Sequence, residues 1–240
     1  YKWKVRVEKG GYERIYSSEW TFNYQPRPVL TLQSDYGEKY GEGDYTYNTT
    51  AVFGVEPAIV KISEYERVVF VEWMGVHKES YSGPMIESNV TIIDDITEYA
   101  IWNTQYYLNM SCEVPPAVRP ESGWYDENDI VGIYVDPLPG VEFLYWVGSG
   151  NESYSGTDLS QSIRVNGPIN QEAVFIRERY YLDVESEIGN TYGSGEYLAW
   201  DNVSFGIDTT DIYLGEDERM HFTGWRSDSG NGYNGNHSEH

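Results

Sequence analysis

Short runs in which apolar and polar residues alternate make up most of the chain, and they recur in the same order three times. Each copy opens with such a run, at residues 29–32, 106–110 and 180–184. A second run follows in each copy, with apolar side chains at every other position: Ala51/Phe53/Val55, Val131/Ile133/Val135 and Val203/Phe205/Ile207. A period of two is that of a β-strand with one buried face, so both runs predict strands.

Three further motifs keep their spacing in every copy. A Gly-rich turn between the two strands ends in a tyrosine, at Tyr45, Tyr125 and Tyr197. A third strand carries the pattern Phe-x-x-Trp: Phe70 with Trp73, Phe143 with Trp146, and Phe222 with Trp225. Eight residues after each of these tryptophans comes a tyrosine followed by a small residue and glycine, beginning at Tyr81, Tyr154 and Tyr233. The shared order predicts tandem copies of one module of about 75 residues.

The repeat defines the domain organisation. Two closing strands complete copies one and two, at residues 90–92 with 99–102 and at 163–165 with 172–175, whereas copy three stops before them. The sequence therefore predicts an all-β chain of tandem small β-modules, β-grasp-like or sandwich-like, with little helix. The predicted boundaries are an N-terminal β-hairpin at 1–25, repeat 1 at 26–104, repeat 2 at 105–178, and repeat 3 at 179–240 without its closing strands.

The first 25 residues have the pattern of a hairpin. Apolar residues alternate on both sides of a Gly-Gly turn: Trp3, Val5, Val7, Trp20 and Phe22. A hairpin cannot bury an apolar face alone, and an incomplete sheet leaves an open edge. One hypothesis is that these assembly strands complete repeat 3 of a neighbouring subunit, head-to-tail, giving a filament. The alternative is that adjoining residues of a longer chain complete both ends, the hairpin being the end of a preceding domain.

Charge and composition narrow the range of partners. With 39 Asp+Glu against 16 Lys+Arg the formal net charge is -23, which repels nucleic-acid phosphates. A hydrophobic content of 40% with 23 Tyr and 8 Trp provides enough apolar surface for a folded core. The longest apolar runs are strand-sized, so no membrane span is expected. The single cysteine, Cys112, excludes an internal disulfide framework.

Six Asn-x-Ser/Thr sequons favour an exported and glycosylated surface. They begin at Asn48, Asn89, Asn109, Asn151, Asn202 and Asn236. The alternative is that they reflect only the polar composition of β-turns. The predicted location is extracellular, at the cell surface.

The sequence contains neither a Gly-x-Ser-x-Gly nucleophile elbow nor a phosphate-binding Gly-x-x-x-x-Gly-Lys loop. Acidic clusters at 94–95, 126–129, 208–211 and 216–218 supply oxygen ligands, so Ca²⁺ is the one cofactor for which the residues leave room. None of the clusters has the spacing of an EF-hand. The prediction is a non-enzymatic chain with no catalytic, cofactor-binding or metal residue assigned.

Two aromatic residues stand apart from the repeat pattern. Trp124 and Trp200 occur around the Gly-rich turn, where the other copies have Asp44 or Glu196 and Tyr47. The Phe-x-x-Trp residues are better explained as core, since ring burial is the commonest use of aromatic side chains in small sheets. Trp124 and Trp200 are instead candidate surface aromatics that could stack on sugars.

The Gly-x-Tyr, Phe-x-x-Trp and closing Ala-Val-Phe motifs, in this order, resemble the divergent InlB B-repeat family and related repeats of archaeal surface proteins that begin Tyr-Tyr-Leu. The resemblance covers residues 28–240 and implies compact β-modules used as spacers, stalks or adhesive segments, without catalytic residues. The acidic surface and the missing strands of copy three depart from it. Residues 1–24 resemble the last hairpin of a fibronectin type III-like domain.

These features together predict a structural protein of the cell surface, part of a filament, sheath, S-layer or stalk. Its expected partners are neighbouring subunits or adjoining domains of a longer chain, together with glycans. The alternative function is an adhesin or carbohydrate-binding segment of a large secreted surface protein.

Overall fold

The computed structural model describes residues 27–114, 117–229 and 232–237, together with the backbone of four short strands before residue 22. No helix occurs in these residues, so the predicted all-β class is confirmed. The chain divides into two compact units, Tyr1–Tyr107 with Trp124–Glu127, and Leu108–Gly123 with Asn128–His240. The first unit contains the N-terminal strands and repeat 1, and the second contains most of repeat 2 and all of repeat 3.

The N-terminal strands form two separate two-stranded antiparallel sheets. Trp3 lies opposite Trp20, and Val7 lies opposite Ile15. The strands are β1 (Lys2–Trp3), β2 (Arg6–Val7), β3 (Ile15–Tyr16) and β4 (Trp20–Thr21). Val5 and Phe22, and the side chains of Trp3, Val7 and Trp20, lie outside the described part of the chain.

Repeat 1 consists of two small sheets that face each other across a core, a sandwich-like arrangement. One sheet contains β5, β7, β9, β10 and the first part of β12, and the other has the order β11-β8-β6. The strands are β5 (Val29–Gln33), β6 (Glu38–Tyr40), β7 (Gly43–Asp44), β8 (Thr49–Glu56), β9 (Ile59–Lys61), β10 (Glu66–Gly75), β11 (Glu87–Ile92) and β12 (Ile96–Cys112). The closing strand β12 runs parallel to β5 and antiparallel to β10, so it ties the first and last parts of the repeat together.

Repeats 2 and 3 use the same scheme with fewer strands in repeat 3. In repeat 2, β15 lies between β13 and β17, and β18 runs antiparallel to β16 and parallel to residues 108–112. Repeat 3 has three two-stranded sheets, β19-β21, β20-β22 and β23-β24. The strands are β13 (Val118–Arg119), β14 (Gly123–Asp126), β15 (Ile130–Val135), β16 (Val141–Ser149), β17 (Ser160–Arg164), β18 (Ile169–Arg177), β19 (Arg179–Leu182), β20 (Thr191–Tyr192), β21 (Gly195–Leu198), β22 (Gly206–Ile207), β23 (Asp211–Tyr213) and β24 (Arg219–His221).

The core of repeat 1 is built from the alternating apolar positions of its strands. Leu32, Phe53, Trp73 and Ile92 are fully buried, and Phe53 meets Trp73 edge-to-face with ring centroids 5.1 Å apart. Burial of each such side chain contributes roughly 1.5–3 kcal/mol relative to its exposed state. The predicted core role of the Phe-x-x-Trp tryptophans therefore agrees with the packing in repeats 1 and 2, where Trp73 and Trp146 are 0% and 1% exposed.

A β-bulge explains the three-residue spacing of Phe-x-x-Trp. In a regular strand, residues three apart point to opposite faces. The pairing of β10 with β12 shifts between Phe70 and Glu72, and that of β16 with β18 shifts between Phe143 and Tyr145. The extra residue brings the Phe and the Trp to the same face. Their ring centroids are 5.8 Å apart in both repeats.

The Tyr-x-Gly motif follows each tryptophan because it folds back onto it. The backbone of the tryptophan and of the glycine form an isolated antiparallel bridge in all three copies: Trp73 with Gly83, Trp146 with Gly156, and Trp225 with Gly235. The preceding tyrosine ring lies over the glycine. A Cβ on any of these glycines would come within 3.0 Å of the tyrosine hydroxyl, so a larger residue there would require the tyrosine ring to move.

Candidate functional site

A cluster of aromatic side chains outside the repeat core lies in the first unit, where repeat 1 ends. Tyr107 contacts the Trp124 ring edge-to-face at 5.4 Å and the Tyr65 ring at 6.3 Å between centroids. The Arg67 guanidinium lies over the Trp124 ring, with its carbon 4.4 Å from the centroid. We call these four residues the junction cluster.

A chain of polar contacts holds the junction cluster in place. Arg67 Nε donates a hydrogen bond to Gln105 Oε1 at 2.8 Å, and Gln105 Nε2 donates to Asp126 Oδ1 at 2.7 Å. The Glu127 N–H also donates to the Thr104 carbonyl at 2.8 Å. Residues 124–127 of the Gly-rich turn are thereby fixed against β10 and β12 of the same unit.

Of the two candidate surface aromatics, Trp200 has the more accessible ring. Trp124 is half-buried and Arg67 covers one of its faces, so it is poorly placed to stack on a ligand. Trp200 is 51% exposed, and its ring N–H donates to the Pro139 carbonyl at 3.0 Å. Geometry thus favours a surface role for Trp200 and a packing role for Trp124.

The turn geometry also gives the repeat position of Trp200. Asn48, Asn128 and Trp200 have φ values of 63°, 72° and 71°, in the left-handed region that asparagine tolerates and tryptophan rarely adopts. Trp200 is therefore equivalent to Asn48, one residue after the Tyr47 position proposed above. In repeats 1 and 2 the N–H of the asparagine donates to a backbone carbonyl of the closing strands, at Ile92 and Val165.

A second junction, within the second unit, connects the end of repeat 2 to the Gly-rich turn of repeat 3. Arg177 Nε donates to the Ala199 carbonyl at 2.7 Å, and Arg177 forms an ion pair with Asp201 at 2.5 Å. The hydrogen bond from Arg177 lowers the pKa of the Asp201 carboxyl, with a further contribution from the Leu198 N–H. At each junction an arginine of one repeat, Arg67 on β10 or Arg177 on β18, thus contacts the turn of the next repeat.

The first junction yields a test of the arginine. We expect Arg67→Ala to lower the free energy of unfolding by about 0.5–2 kcal/mol, since it removes a cation–π contact and a hydrogen bond. The variant should also raise acrylamide quenching of Trp124, measured as the difference between chains with and without Trp124→Phe. Arg119→Ala is the matched control, because Arg119 has a partly exposed ion pair with Asp136 at 3.4 Å and a 3.4 Å hydrogen bond to the Val118 carbonyl, without a described cation–π contact. Equal effects of the two variants would contradict a special role for Arg67.

Five of the six sequon asparagines are exposed: Asn48, Asn89, Asn151, Asn202 and Asn236. Asn109 is half-buried, and its Nδ2, the atom to which a glycan would be attached, donates to Asn170 Oδ1 at 3.2 Å. The described geometry leaves room for modification at the five exposed sites.

Asn109 should therefore be the least occupied sequon when the chain is exported from a host that N-glycosylates. Glycopeptide mass spectrometry after expression with a signal peptide measures this occupancy. Asn170→Ala frees the Asn109 amide and is expected to raise its occupancy. High occupancy at Asn109 in the unaltered chain would show that the contact does not protect it.

A buried carboxyl group is the feature that sequence reasoning missed. Glu98 on β12 and Gln171 on β18 occupy equivalent positions and are both 0% exposed. Glu98 Oε1 accepts from the Tyr81 N–H at 2.7 Å, and Gln171 Oε1 accepts from the Tyr154 N–H at 2.7 Å. Gln171 Nε2 also donates to the Tyr154 carbonyl at 2.8 Å, whereas Glu98 Oε2 is buried with no hydrogen-bond partner. The sequence signal that could have revealed this site was the glutamine, Gln171, that repeat 2 has at the position of Glu98.

Burial raises the pKa of Glu98, and the hydrogen bond from the Tyr81 N–H opposes this shift. A proton on Oε2 would turn the carboxyl into a donor, the role that Nε2 has in Gln171. Protonated Glu98 is thus the form whose hydrogen-bonding groups match those of Gln171 in repeat 2.

One further polar contact is a cross-strand pair in repeat 3. His221 Nδ1 lies 2.9 Å from Asp211 Oδ1, and the two residues are direct partners in the β23–β24 ladder. The hydrogen bond from His221 lowers the pKa of Asp211. Among the described residues, no group of three or more His, Cys, Asp or Glu side chains is arranged to hold a metal ion. The described residues also contain no helix long and apolar enough to cross a membrane.

Comparison of the chain with protein-family models, with curated proteins and with solved structures found no match. The resemblance to InlB B-repeats and archaeal Tyr-Tyr-Leu repeats stays a prediction.

Proposed function

We propose that the chain is a non-catalytic structural component of an extracellular cell-surface assembly, such as a filament, sheath, S-layer or stalk. The main support is that equivalent side chains perform the same packing task in successive repeats. The tryptophan–glycine bridge occurs three times, and its aromatic side chains pack against neighbouring rings inside each repeat. Residues used in this way build a scaffold and leave few groups for chemistry.

Charge and modification support an extracellular place for this scaffold. A net charge of -23 over 240 residues keeps a surface protein solvated and favours divalent cations as screening ions. Exposed sequons would add glycans to the same surface. Assembly through β-strand complementation is part of the proposal, because an exposed sheet edge can pair with a strand of a neighbouring chain.

Immunogold electron microscopy tests this proposal directly. Antibodies against the recombinant chain should label ordered structures on intact cells of the source organism, and the intact mass of the labelled subunit would show whether it is a short subunit or a long stalk. Label restricted to the cytoplasm would refute the proposal.

A second candidate function, carbohydrate binding, is favoured by the exposed ring of Trp200 alone. If the chain is an adhesin, Trp200→Ala should abolish retention on a polysaccharide column. Trp124→Ala should then have a smaller effect, because Arg67 covers that ring. Retention that is unaffected by Trp200→Ala would remove the observation that favours this candidate.

A further inference from the structure

Asn202 is the one sequon asparagine that follows a tryptophan at a distance of two residues. The tryptophan is Trp200, and both side chains are exposed. Two residues span at most about 7 Å of chain, so a sugar on the Asn202 amide lies within reach of the Trp200 ring. The other sequons have these residues two positions before the asparagine: Thr46, Glu87, Tyr107, Ser149 and Asn234.

Tyr107 is the other aromatic residue at this position, and its ring is already occupied. It packs against Trp124 and Tyr65 in the junction cluster. Asn109, which follows it, is half-buried, and its amide donates to Asn170. Among the residues that the structure describes, an open aromatic ring two positions before an exposed sequon asparagine therefore occurs only before Asn202.

The Trp200 ring is fixed by its polar edge. Its indole N–H donates to the Pro139 carbonyl at 3.0 Å. The next residue is also held, because Asp201 pairs with Arg177 and accepts a hydrogen bond from the Leu198 N–H at 3.0 Å. The indole N–H is the single polar group of a tryptophan side chain, so the exposed part of the ring is apolar surface.

The side chain that covers Trp124 has no counterpart beside Trp200. Three residues before the Phe of Phe-x-x-Trp, repeat 1 has Arg67, whose guanidinium lies over the Trp124 ring, and repeat 2 has Gly140. A Cβ on Gly140 would come 2.9 Å from the Ala199 Cβ, so the packing leaves no room for a covering side chain at that position. A cover for Trp200 has to come from another group.

Tryptophan occupies a backbone position here that suits asparagine. Trp200 has a φ of 71°, and the equivalent residues Asn48 and Asn128 have 63° and 72°. A bulky side chain in the left-handed region is strained. Strained residues of this kind are concentrated at sites that contact a ligand, so the ring of Trp200 is a candidate for such a contact.

The exposure of the two residues is a property of their position in the repeat. The tryptophan position corresponds to Asn48 and Asn128, and the sequon asparagine corresponds to Thr50 and Ile130. All four of these side chains are exposed, although repeats 1 and 2 contain both closing strands. Closing strands beside repeat 3 would therefore leave the tryptophan and the sequon accessible.

We propose that an N-linked glycan on Asn202 packs its first sugar against the Trp200 ring. The C–H groups of a sugar carry partial positive charge and are attracted to the negative face of an aromatic ring, and both surfaces are removed from water. The glycan then covers Trp200 at the second junction, as Arg67 covers Trp124 at the first. The proposal rests on the proposed extracellular location, because N-glycans are added during export.

The modification itself is carried out by the glycosylation enzymes of the cell. The donor is a lipid-linked sugar diphosphate. A bond forms between Asn202 Nδ2 and the anomeric carbon of the first sugar, the bond between that carbon and the phosphate breaks, and the amide nitrogen loses one proton. The chain contributes the sequon and the ring that receives the sugar.

The test uses the whole chain, exported from a host that N-glycosylates. Ser204→Ala removes the glycan and leaves Asn202 and Trp200 in place. We expect the glycan to raise the folding equilibrium constant of the second unit about three- to tenfold when Trp200 is present, and by less than about twofold in the Trp200→Asn background. Asparagine is chosen because repeats 1 and 2 have it at this position. Glycopeptide mass spectrometry measures occupancy, and urea unfolding measures the equilibrium constant.

The Asn151 sequon is the matched control. Asn151 is exposed and lies in the same unit, but residue 149 is a serine. Its removal by Ser153→Ala should have the same effect with and without Trp200→Asn. Nuclear Overhauser effects between the Trp200 ring protons and the protons of the first sugar, in a chain with labelled tryptophan, report the contact directly.

Three results would overturn the proposal: an unmodified Asn202 in the exported chain, a glycan effect that Trp200→Asn leaves unchanged, or no Overhauser contact between sugar and ring. Retention of the glycosylated chain on a polysaccharide column through Trp200 would assign the ring to a separate sugar instead. The proposed function can fail separately. Immunogold label inside the cell would refute the extracellular location and leave the contact measurable in the recombinant glycoprotein.

Discussion

Replacing Trp73 or Trp146 with alanine is expected to lower the free energy of unfolding of the unit that contains it by about 3–5 kcal/mol. Both side chains are at the centre of a repeat and almost fully buried. The substitution removes the ring packing and the indole hydrogen bond to the chain that leads into the closing strands. Urea unfolding followed by far-ultraviolet circular dichroism measures the change.

The third copy provides the internal comparison. Trp225→Ala should cost less than either of these substitutions, because Trp225 is only half-buried and its N–H has no described acceptor. Trp200→Ala, at a 51% exposed ring, is the surface control and should change the free energy of unfolding by less than about 1 kcal/mol. Equal costs at all four positions would mean that the repeats do not share the packing described above.

Exchanging Glu98 and Gln171 should move a pH dependence of stability from one repeat to the other. Burial raises the pKa of Glu98, so the folded chain binds a proton that the unfolded chain releases above the ordinary pKa of glutamate. The stability from protonated Glu98 is complete below that ordinary pKa and is lost as the pH rises through the raised folded value. Glu98→Gln should remove this loss and stabilise the first unit at pH 8 by about 1–3 kcal/mol.

Gln171→Glu is the reciprocal variant and should introduce the same loss into the second unit. The quantity to compare is the difference in free energy of unfolding between variant and parent from pH 4 to pH 9, because the other carboxylates then cancel. Tyr81 and Tyr154 contribute the facing backbone groups, and no Lys or Arg contacts either side chain in the hydrogen bonds and ion pairs described. A difference that does not change with pH would show that Glu98 is ionised in the folded chain.

Spacing and composition were enough to predict the all-β class, the strand runs of copies one and two, and the core positions of Trp73 and Trp146, because alternation and turn residues are local properties of the chain. In copy three the predicted second run is a strand only at Gly206–Ile207, and Trp225 is half-buried. The spacing of Phe-x-x-Trp also violates the two-residue period. The bulge at residues 70–72 places the Phe and the Trp on the same face of the strand, and it forms only when β10 pairs with β12. The position of the bulge therefore depends on the pairing of strands that are distant in the sequence.

The surface aromatics show a second limit of local reasoning. Trp124 and Trp200 look alike in sequence, as non-repeated aromatic residues near a Gly-rich turn. Arg67, which covers the Trp124 ring, is 57 residues away in the chain. The left-handed φ of Trp200 places it at the asparagine position of the other repeats. Exposure of a ring depends on neighbours distant in sequence, so pattern alone could not separate the two.

The sequence by itself determined the repeat, the strand class and the acidic charge, since each follows from the order of residue types along the chain. Only the tertiary structure decided that Glu98 is a buried acid matched to Gln171 and that an arginine contacts the next turn at both junctions. These features depend on which strands lie side by side, and long-range pairing is the step at which burial and hydrogen bonding become specific.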